Sequence, residues 1–304
     1  VKLIENPLSI FNRAVILKLT IGKPGNRMQL DKNQYEVDAD KDSTSAQKKL
    51  LKAPEISAAG KGLDQCRAAI RKLSMSSPMG DGTRLLSILA VPKAEELIAG
   101  AITTLNTVHK PLIREKYSLR IQEAQRDLNG LFNLADYAPV DEFVEKFYID
   151  QMYISFGAPE ALASVRADLL TREQSRRQTQ AQQTAEDAPR ELATEFKAFT
   201  ERFIARTGKI AAGDSTKVKG LLDNFLEFLN NVPLRNLLEV EELSTLATKV
   251  SGILGGVSPD ILRENRRVRD YVENELSGVQ TELTTFLNLR PGRSFEVGGS
   301  EEAA

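Results

Sequence analysis

Between Leu128 and Glu160 the chain reads LNGLFNLADYAPVDEFVEKFYIDQMYISFGAPE, and this span does most to narrow the choice of fold. A helix must end here, a tight connection follow, a short helix begin and a strand succeed it. Gly130 is placed to close the preceding helical run, because glycine takes a positive φ without steric cost. Asp136-Tyr137-Ala138-Pro139 reads as the start of the next helix. Asp136 offers an acceptor to free backbone N–H groups, and Pro139 lacks the N–H that a first turn leaves unused. Phe143, Val144 and Phe147 give that short helix an apolar side. From Phe147 to Phe156 the pattern is β-like, until Gly157 and Pro159 break it. The span docks long helices onto a sheet and carries no recognisable set of catalytic residues.

Upstream, residues 11–21 alternate: Phe11, Arg13, Val15, Leu17, Leu19 and Ile21 share one face of a half-buried strand. Its natural partner is the strand at 148–156. Residues 26–56 are polar and weakly patterned, with a short helix expected around Ala46–Lys52. A helix carries Leu63, Cys66, Ile70 and Leu73, residues 74–82 read as a loop, and Arg84–Val91 as a third strand. Pro92 opens a long helical run buried through Leu97, Ile98, Leu105 and Val108. Pro111 should kink it near His109–Lys110, since its ring clashes one turn back, before the helix resumes through Ile113, Tyr117 and Ile121. Residues 93–129, if continuous, would extend about 55 Å.

Downstream, Leu162, Val165, Leu169 and Leu170 begin another helix. Residues 171–190 hold only Ala181, Ala185 and Ala188 as apolar side chains. They are expected to form an exposed helix projecting Arg172, Arg176 and Arg177, with a flexible linker as the alternative. The last third carries strong helical stripes: Val218 to Leu229, closed by Asn231 and Pro233, then Val240 to Leu254, then Leu262 to Phe286 behind a Ser258-Pro259-Asp260 cap. The expected class is α+β and predominantly α-helical, with a small, mostly antiparallel sheet, long helices and a helical C-terminal region. Along the chain this gives an α+β head (1–158), an extended helix or linker (159–210), a helical region (211–290) and a fraying tail (291–304).

Charge and cysteine usage exclude several classes. In 304 residues, 41 basic side chains balance 42 acidic ones, so no global basic field selects nucleic acid. One cysteine, Cys66, allows neither an intrachain disulfide nor a thiolate cage, and one histidine, His109, removes multi-histidine metal sites. No apolar run approaches the roughly 20 residues of a membrane span. A reducing cytoplasm is the expected location, and neither cofactor nor metal is expected.

Each motif has a bland reading beside its chemical one. Asp38, Asp40 and Asp42 have the spacing that opens a calcium loop, but the required Gly and Glu are replaced by Ser43 and Lys49, which favours a solvated turn. Met79-Gly80-Asp81-Gly82 could cradle a phosphate, yet it lacks the Lys-Ser/Thr ending and precedes a strand. No motif ties His109 to a nucleophile, so it reads as a surface or interhelical residue. Two arginine clusters remain, Arg172, Arg176 and Arg177, and Arg263, Arg266, Arg267 and Arg269. Either could contact phosphates, although Glu173, Glu264 and Asp270 nearby suit ordinary solvated helix faces.

Several segments in order resemble an uncharacterised domain family of phages and bacteria, often encoded near MoxR/CobS-type AAA+ ATPases. They are Ile21-Gly-Lys-Pro-Gly-Asn-Arg27, the Pro78…Gly82…Val91-Pro92 run, Leu128…Gly130-Leu-Phe132…Asp136-Tyr137…Pro139…Phe147, Tyr153…Gly157-Ala-Pro159, and Leu254…Val257-Ser-Pro-Asp-Ile-Leu-Arg263 with Arg269. Two departures are Ala138, inserted in the usual Asp-Tyr-Pro, and Pro111 within the long helix. The resemblance carries no catalytic residues. It implies a phage or mobile-element setting, in the bacterial host cytoplasm, and an ATPase partner. The leading expectation is a non-enzymatic interaction protein, an adaptor for a MoxR-like ATPase, with a homo-oligomer compatible. The alternative is a nucleic-acid-binding protein of phage replication or recombination, with Tyr148 and Tyr153 as stacking groups. Candidate contact residues in either case are Arg172, Arg176, Arg177, Arg263, Arg266 and Arg267.

Overall fold

The computed structural model describes residues 7–36, 38–40, 42–80, 82–210 and 215–290. A 3-10 turn (Pro7–Asn12) leads into strand β1 (Ala14–Gly22), then β2 (Arg27–Gln29) and β3 (Gln47–Lys49). Helix α1 (Pro54–Leu73) and strands β4 (Ser74–Ser76) and β5 (Thr83–Ser87) follow. Helix α2 (Val91–Thr104) passes through a π-helical turn (Leu105–His109) into α3 (Lys110–Leu128). After α4 (Val140–Glu145) and β6 (Tyr148–Ile154) the described chain is helical: α5 (Leu162–Val165), α6 (Ala167–Thr207), α7 (Ser215–Arg235), α8 (Glu241–Leu254), α9 (Pro259–Glu264) and α10 (Arg266–Asn288).

The fold is α+β and mainly helical, with a small antiparallel sheet ordered β4-β5-β1-β6 and a separate β2–β3 ladder. The expected pairing of the N-terminal strand with the Tyr148 strand is present. Three short strands were not expected: Arg27–Gln29, Gln47–Lys49 and Ser74–Ser76. Gln47–Lys49, inside the anticipated helix at 46–52, pairs instead with Arg27–Gln29. Ser74–Ser76, inside the anticipated loop, pairs with β5 and buries Met75 completely. Three-residue strands leave too short an alternation to read. The third strand ends at Ser87, and a 3-10 turn takes Ile88–Ala90.

Compactness groups the described residues into two units, each drawn from separate stretches of chain: one within 1–16, 72–90 and 154–304, the other within 17–71 and 91–153.

The smaller unit, within 17–71 and 91–153, packs Leu51, Ala59 and Leu63 against Leu105, Ile113 and Tyr117 and against Phe143, Val144 and Phe147. The π-helical turn ends at His109, where Pro111 was expected to kink the long helix. Proline donates no hydrogen bond and crowds the carbonyl one turn back, and a widened turn relieves both. Two expectations about the following connection are corrected. Asn129, not Gly130, takes the positive φ of 45° after α3. Asp136 does not cap α4, which starts after Pro139; its carboxylate is drawn away to a lysine described below.

Glu55 and Arg120 form a second buried pair in this unit, with side chains 3% and 17% exposed and contacts of 2.7 and 3.0 Å. Burial pushes the Glu55 carboxyl up, but the Arg120 hydrogen bonds and charge outweigh it and hold the group below its ordinary value of 4.5. A depressed folded-state value stabilises the fold above the unfolded value, and that stability is lost as pH falls through it. Denaturant titrations from pH 7 to pH 3 should therefore show wild type losing stability below about pH 4.5, with Glu55→Gln losing less over the same interval. Parallel curves would contradict the assignment.

The larger unit, within 1–16, 72–90 and 154–304, is built on α6, α7, α8 and α10. Phe196, fully buried, meets Phe225 and Phe228 at ring-centroid distances of 6.3 and 5.4 Å. Helix α6 runs unbroken through residues 171–190 and through Pro189, so the helix reading holds there and the linker reading does not. The expectation that this stretch lies outside the core is corrected: Ala181, Ala185 and Ala188 are 0%, 2% and 7% exposed. Alanines at helical spacing form a narrow buried stripe that lets neighbours approach closely. Ala185→Leu should accordingly cost about 1–3 kcal/mol by overpacking, read as a lower urea midpoint. A change within about 0.5 kcal/mol, usual for a surface site, would mean that the stripe is not packed.

Helix α7 continues through Pro233 to Arg235. Ser258 caps α9 through the N–H of Ile261, and a second cap, Asn265 to Val268, starts the final helix. The Ser258 signal thus belongs to a short helix ahead of the one expected. The tail at 291–304 lies outside the described residues.

Candidate functional site

The six arginines singled out as contact residues all lie in the larger unit, three near the start of α6 and the others in α9 (Arg263) and at the start of α10 (Arg266, Arg267), and α6 and α10 run antiparallel. Arg190 near the middle of α6 reaches Leu287 near the end of α10, and Gly208 after α6 lies beside Glu273 near the start of α10. The clusters are therefore separated by on the order of 55 Å along the helix axis. Arg177 is held by Glu173 at 2.8 Å and lies over the Phe156 ring at 5.3 Å. Arg176 is 3.8 Å from Glu173, Arg263 is 3.0 Å from Asp260, and Arg266 is 3.6 Å from Asp270. Arg269 donates to the carbonyls of Leu262 and Arg263, both at 2.7 Å. Only Arg172 and Arg267 of the six carry no carboxylate partner among the described residues, and the fold does not bring them together.

In the smaller unit the fold does unite two of the sequence motifs. A cleft of about 80 Å³ is lined by Pro24 and Gly25 of the Gly-basic turn, by Asp136 and Tyr137, and by Tyr117 and Lys146. Behind it Lys48 Nζ donates to Asp136 Oδ2 at 2.6 Å and to the Leu131 carbonyl at 2.7 Å, with both charged side chains 7% exposed. Tyr117 donates to the Ala138 carbonyl at 2.8 Å and Tyr137 to that of Leu50 at 3.1 Å. Asn26 brackets Leu51, accepting from its N–H and donating to its carbonyl, both at 2.7 Å. The arrangement is a clasp. It ties the 136–139 connection to the β2–β3 ladder, and its polar groups are spent on each other. Its volume suits a few waters of about 30 Å³ each, well below the 300–1,000 Å³ of a usual small-molecule site.

The remaining motifs resolve to local roles. Asp40 accepts from the Asp42 N–H at 2.9 Å, and Asp42 pairs with Lys32. Gly80 and Gly82 take φ of 88° and 82° in a turn between β4 and β5; Asp81 lies outside the described residues. His109 is partly buried, facing Gly62 of α1. Cys66 is buried, and burial pushes its thiol up, away from thiolate reactivity. Among the described residues no cluster of His, Cys, Asp or Glu could hold a metal ion, and no helix is long and apolar enough to cross a membrane.

One surface stands apart from these self-satisfied groups. The sheet has two edges. At the β4 edge the Ser76 N–H donates to both oxygens of Glu191, at 3.1 and 3.3 Å, so a helix side chain occupies it. At the other edge, β6 runs for seven residues, and its outward side makes no backbone hydrogen bond to another segment among the described residues. Tyr148, Met152 and Tyr153 on it are 44%, 55% and 41% exposed. The strand is braced. Gly22 lies directly under the Tyr148 ring, and a Cβ there would fall 2.1 Å from it. Gln151 donates to both oxygens of Glu95 at 3.1 and 2.9 Å, and Tyr153 donates to Glu95 at 2.5 Å. These hydrogen bonds hold the Glu95 carboxyl below its usual range, while burial and Glu95 push the Tyr153 phenol up, so the proton stays on the tyrosine.

A β-like composition ended by Gly157 and Pro159 identified the strand, but edge position is a property of topology and had no local signal. Comparison of the chain with protein-family models, with curated proteins and with solved structures gives no match.

Proposed function

We propose that this chain is a non-enzymatic interaction protein of phage or mobile-element type that offers the β6 edge to a partner. The observation that carries this reading is the open, braced edge strand, whose exposed side chains are Tyr148, Met152, Tyr153 and a single acid, Asp150. Long exposed edges invite pairing with another chain, and proteins ordinarily blunt them with lysine, proline, bulges or a covering element. Residues 148–154 contain neither lysine nor proline. A pre-braced strand also spends little ordering entropy when a partner adds to the sheet. The engaged polar groups of the clasp support a structural role for the Asp136-Tyr137 motif.

The proposed partner is a MoxR/CobS-type AAA+ ATPase, for which the chain would act as an adaptor; the support is the sequence resemblance, and a bacterial cytoplasmic setting goes with it. Nucleic-acid binding, the alternative, draws less support, because the two arginine clusters are far apart and mostly paired with carboxylates. The test is ATP hydrolysis by a MoxR-type ATPase from the same genome, titrated with the chain. The adaptor reading expects a saturable change in turnover. Unchanged turnover together with an electrophoretic shift of single-stranded DNA at low salt would favour the alternative.

A further inference from the structure

Asp150 lies in the middle of the β6 edge, between Tyr148 and Met152 on the same face, since side chains alternate along a strand. All three are exposed, and Asp150 has no ion-pair partner among the described residues. The opposite face is already engaged: Gln151 and Tyr153 are bound to Glu95, and Ile149 packs against the core. An incoming strand therefore reads one row of three side chains, apolar, acidic, apolar, spaced by about 7 Å.

Resting on the interaction reading above, we infer that the partner segment is an extended strand carrying lysine or arginine between two apolar residues at alternate positions, with the cation opposite Asp150. Directly opposed residues on one face interact most strongly, and unlike charges and aromatic–aliphatic pairs are the favourable combinations. A second copy of this chain fits poorly. Antiparallel self-pairing centred on Asp150 opposes two carboxylates. Centring on Gln151 sets Asp150 against Met152 of the second copy and leaves the two carboxylates diagonal to each other. A one-residue slip turns the apolar row to the wrong face. The same carboxylate thus discourages self-association and selects a basic partner, a means by which natural edges are kept from pairing indiscriminately.

The test is a displayed library of random nonapeptides panned in parallel on the immobilised full chain and on its Asp150→Lys and Asp150→Asn variants. Asp150 is exposed, so both variants should keep the wild-type circular dichroism and melting curve. Wild type should enrich sequences with apolar, basic and apolar residues at alternate positions. Those peptides should bind Asp150→Lys at least about five-fold more weakly. Asp150→Lys should itself select an acidic residue at the central position, and Asp150→Asn should lose the charge preference. Enriched peptides without alternation, peptides that bind all three proteins equally, or no enrichment would each overturn the inference. Dimerisation of the wild-type chain that is abolished by Asp150→Lys would also overturn it. An ATPase complex unaffected by Asp150→Lys would leave the adaptor reading standing while removing this one. The predicted peptide pattern without an ATPase effect would do the reverse.

Discussion

Replacing Asp136 with alanine is expected to lower the unfolding free energy by about 3–5 kcal/mol, the range seen when one partner of a buried ion pair is removed. Lys48 would keep its ammonium almost wholly out of water, 7% exposed, with the Leu131 carbonyl as its remaining contact. A carbonyl supplies a hydrogen bond but no countercharge. The double variant Lys48→Met with Asp136→Leu should recover most of the loss, because apolar groups of similar volume commonly replace a buried pair at little cost. Guanidinium titrations of the wild type, the single variant and the double variant would measure this. A single-variant loss under about 1 kcal/mol, the scale of an exposed pair, would mean that water reaches Lys48 through the cleft and that the clasp is not dry.

The larger unit has a counterpart. Arg235 has its side chain 2% exposed and donates to Glu195 at 2.5 Å. Its guanidinium also contacts the Met75 sulfur at 3.3 Å and lies 5.8 Å from the Phe228 ring centroid. It thereby links β4, α6 and α7. Glu195→Ala should cost about 2–3 kcal/mol, less than the Asp136 change, because Glu195 is 37% exposed and water can partly replace it. Glu195→Gln should cost less still, since the amide oxygen can accept the same hydrogen bond without the charge. Equal losses for Ala and Gln would show that charge rather than hydrogen bonding holds Arg235.

The long-period features of this fold were legible from the residues. Phe143, Val144 and Phe147 do form a buried cluster, and Leu243 to Leu254 does form a buried helical stripe, because large apolar side chains at regular spacing leave little choice of face. Lys48 was not legible. Its partner Asp136 is 88 positions away, and nothing in the polar 26–56 stretch distinguishes it from Lys49 and Lys52 beside it. Ala181, Ala185 and Ala188 were visible but undervalued, since an alanine buries little area and its role is to permit close approach. Arg177 was expected to project toward a partner from a helix face on which Glu173 is a nearby acid; Glu173 does hold it, and Phe156, brought close only by folding, makes it part of the structure. For the candidate site, the strand could be read and its openness could not. That depends on which strand lies beside it.

Sedimentation velocity on the full chain mixed with the MoxR-type ATPase, with nucleotide present, tests the central claim most directly. The account predicts a new, faster boundary containing both proteins, which weakens for Asp150→Lys while each protein alone sediments as before. Two independent boundaries at concentrations well above micromolar would contradict it.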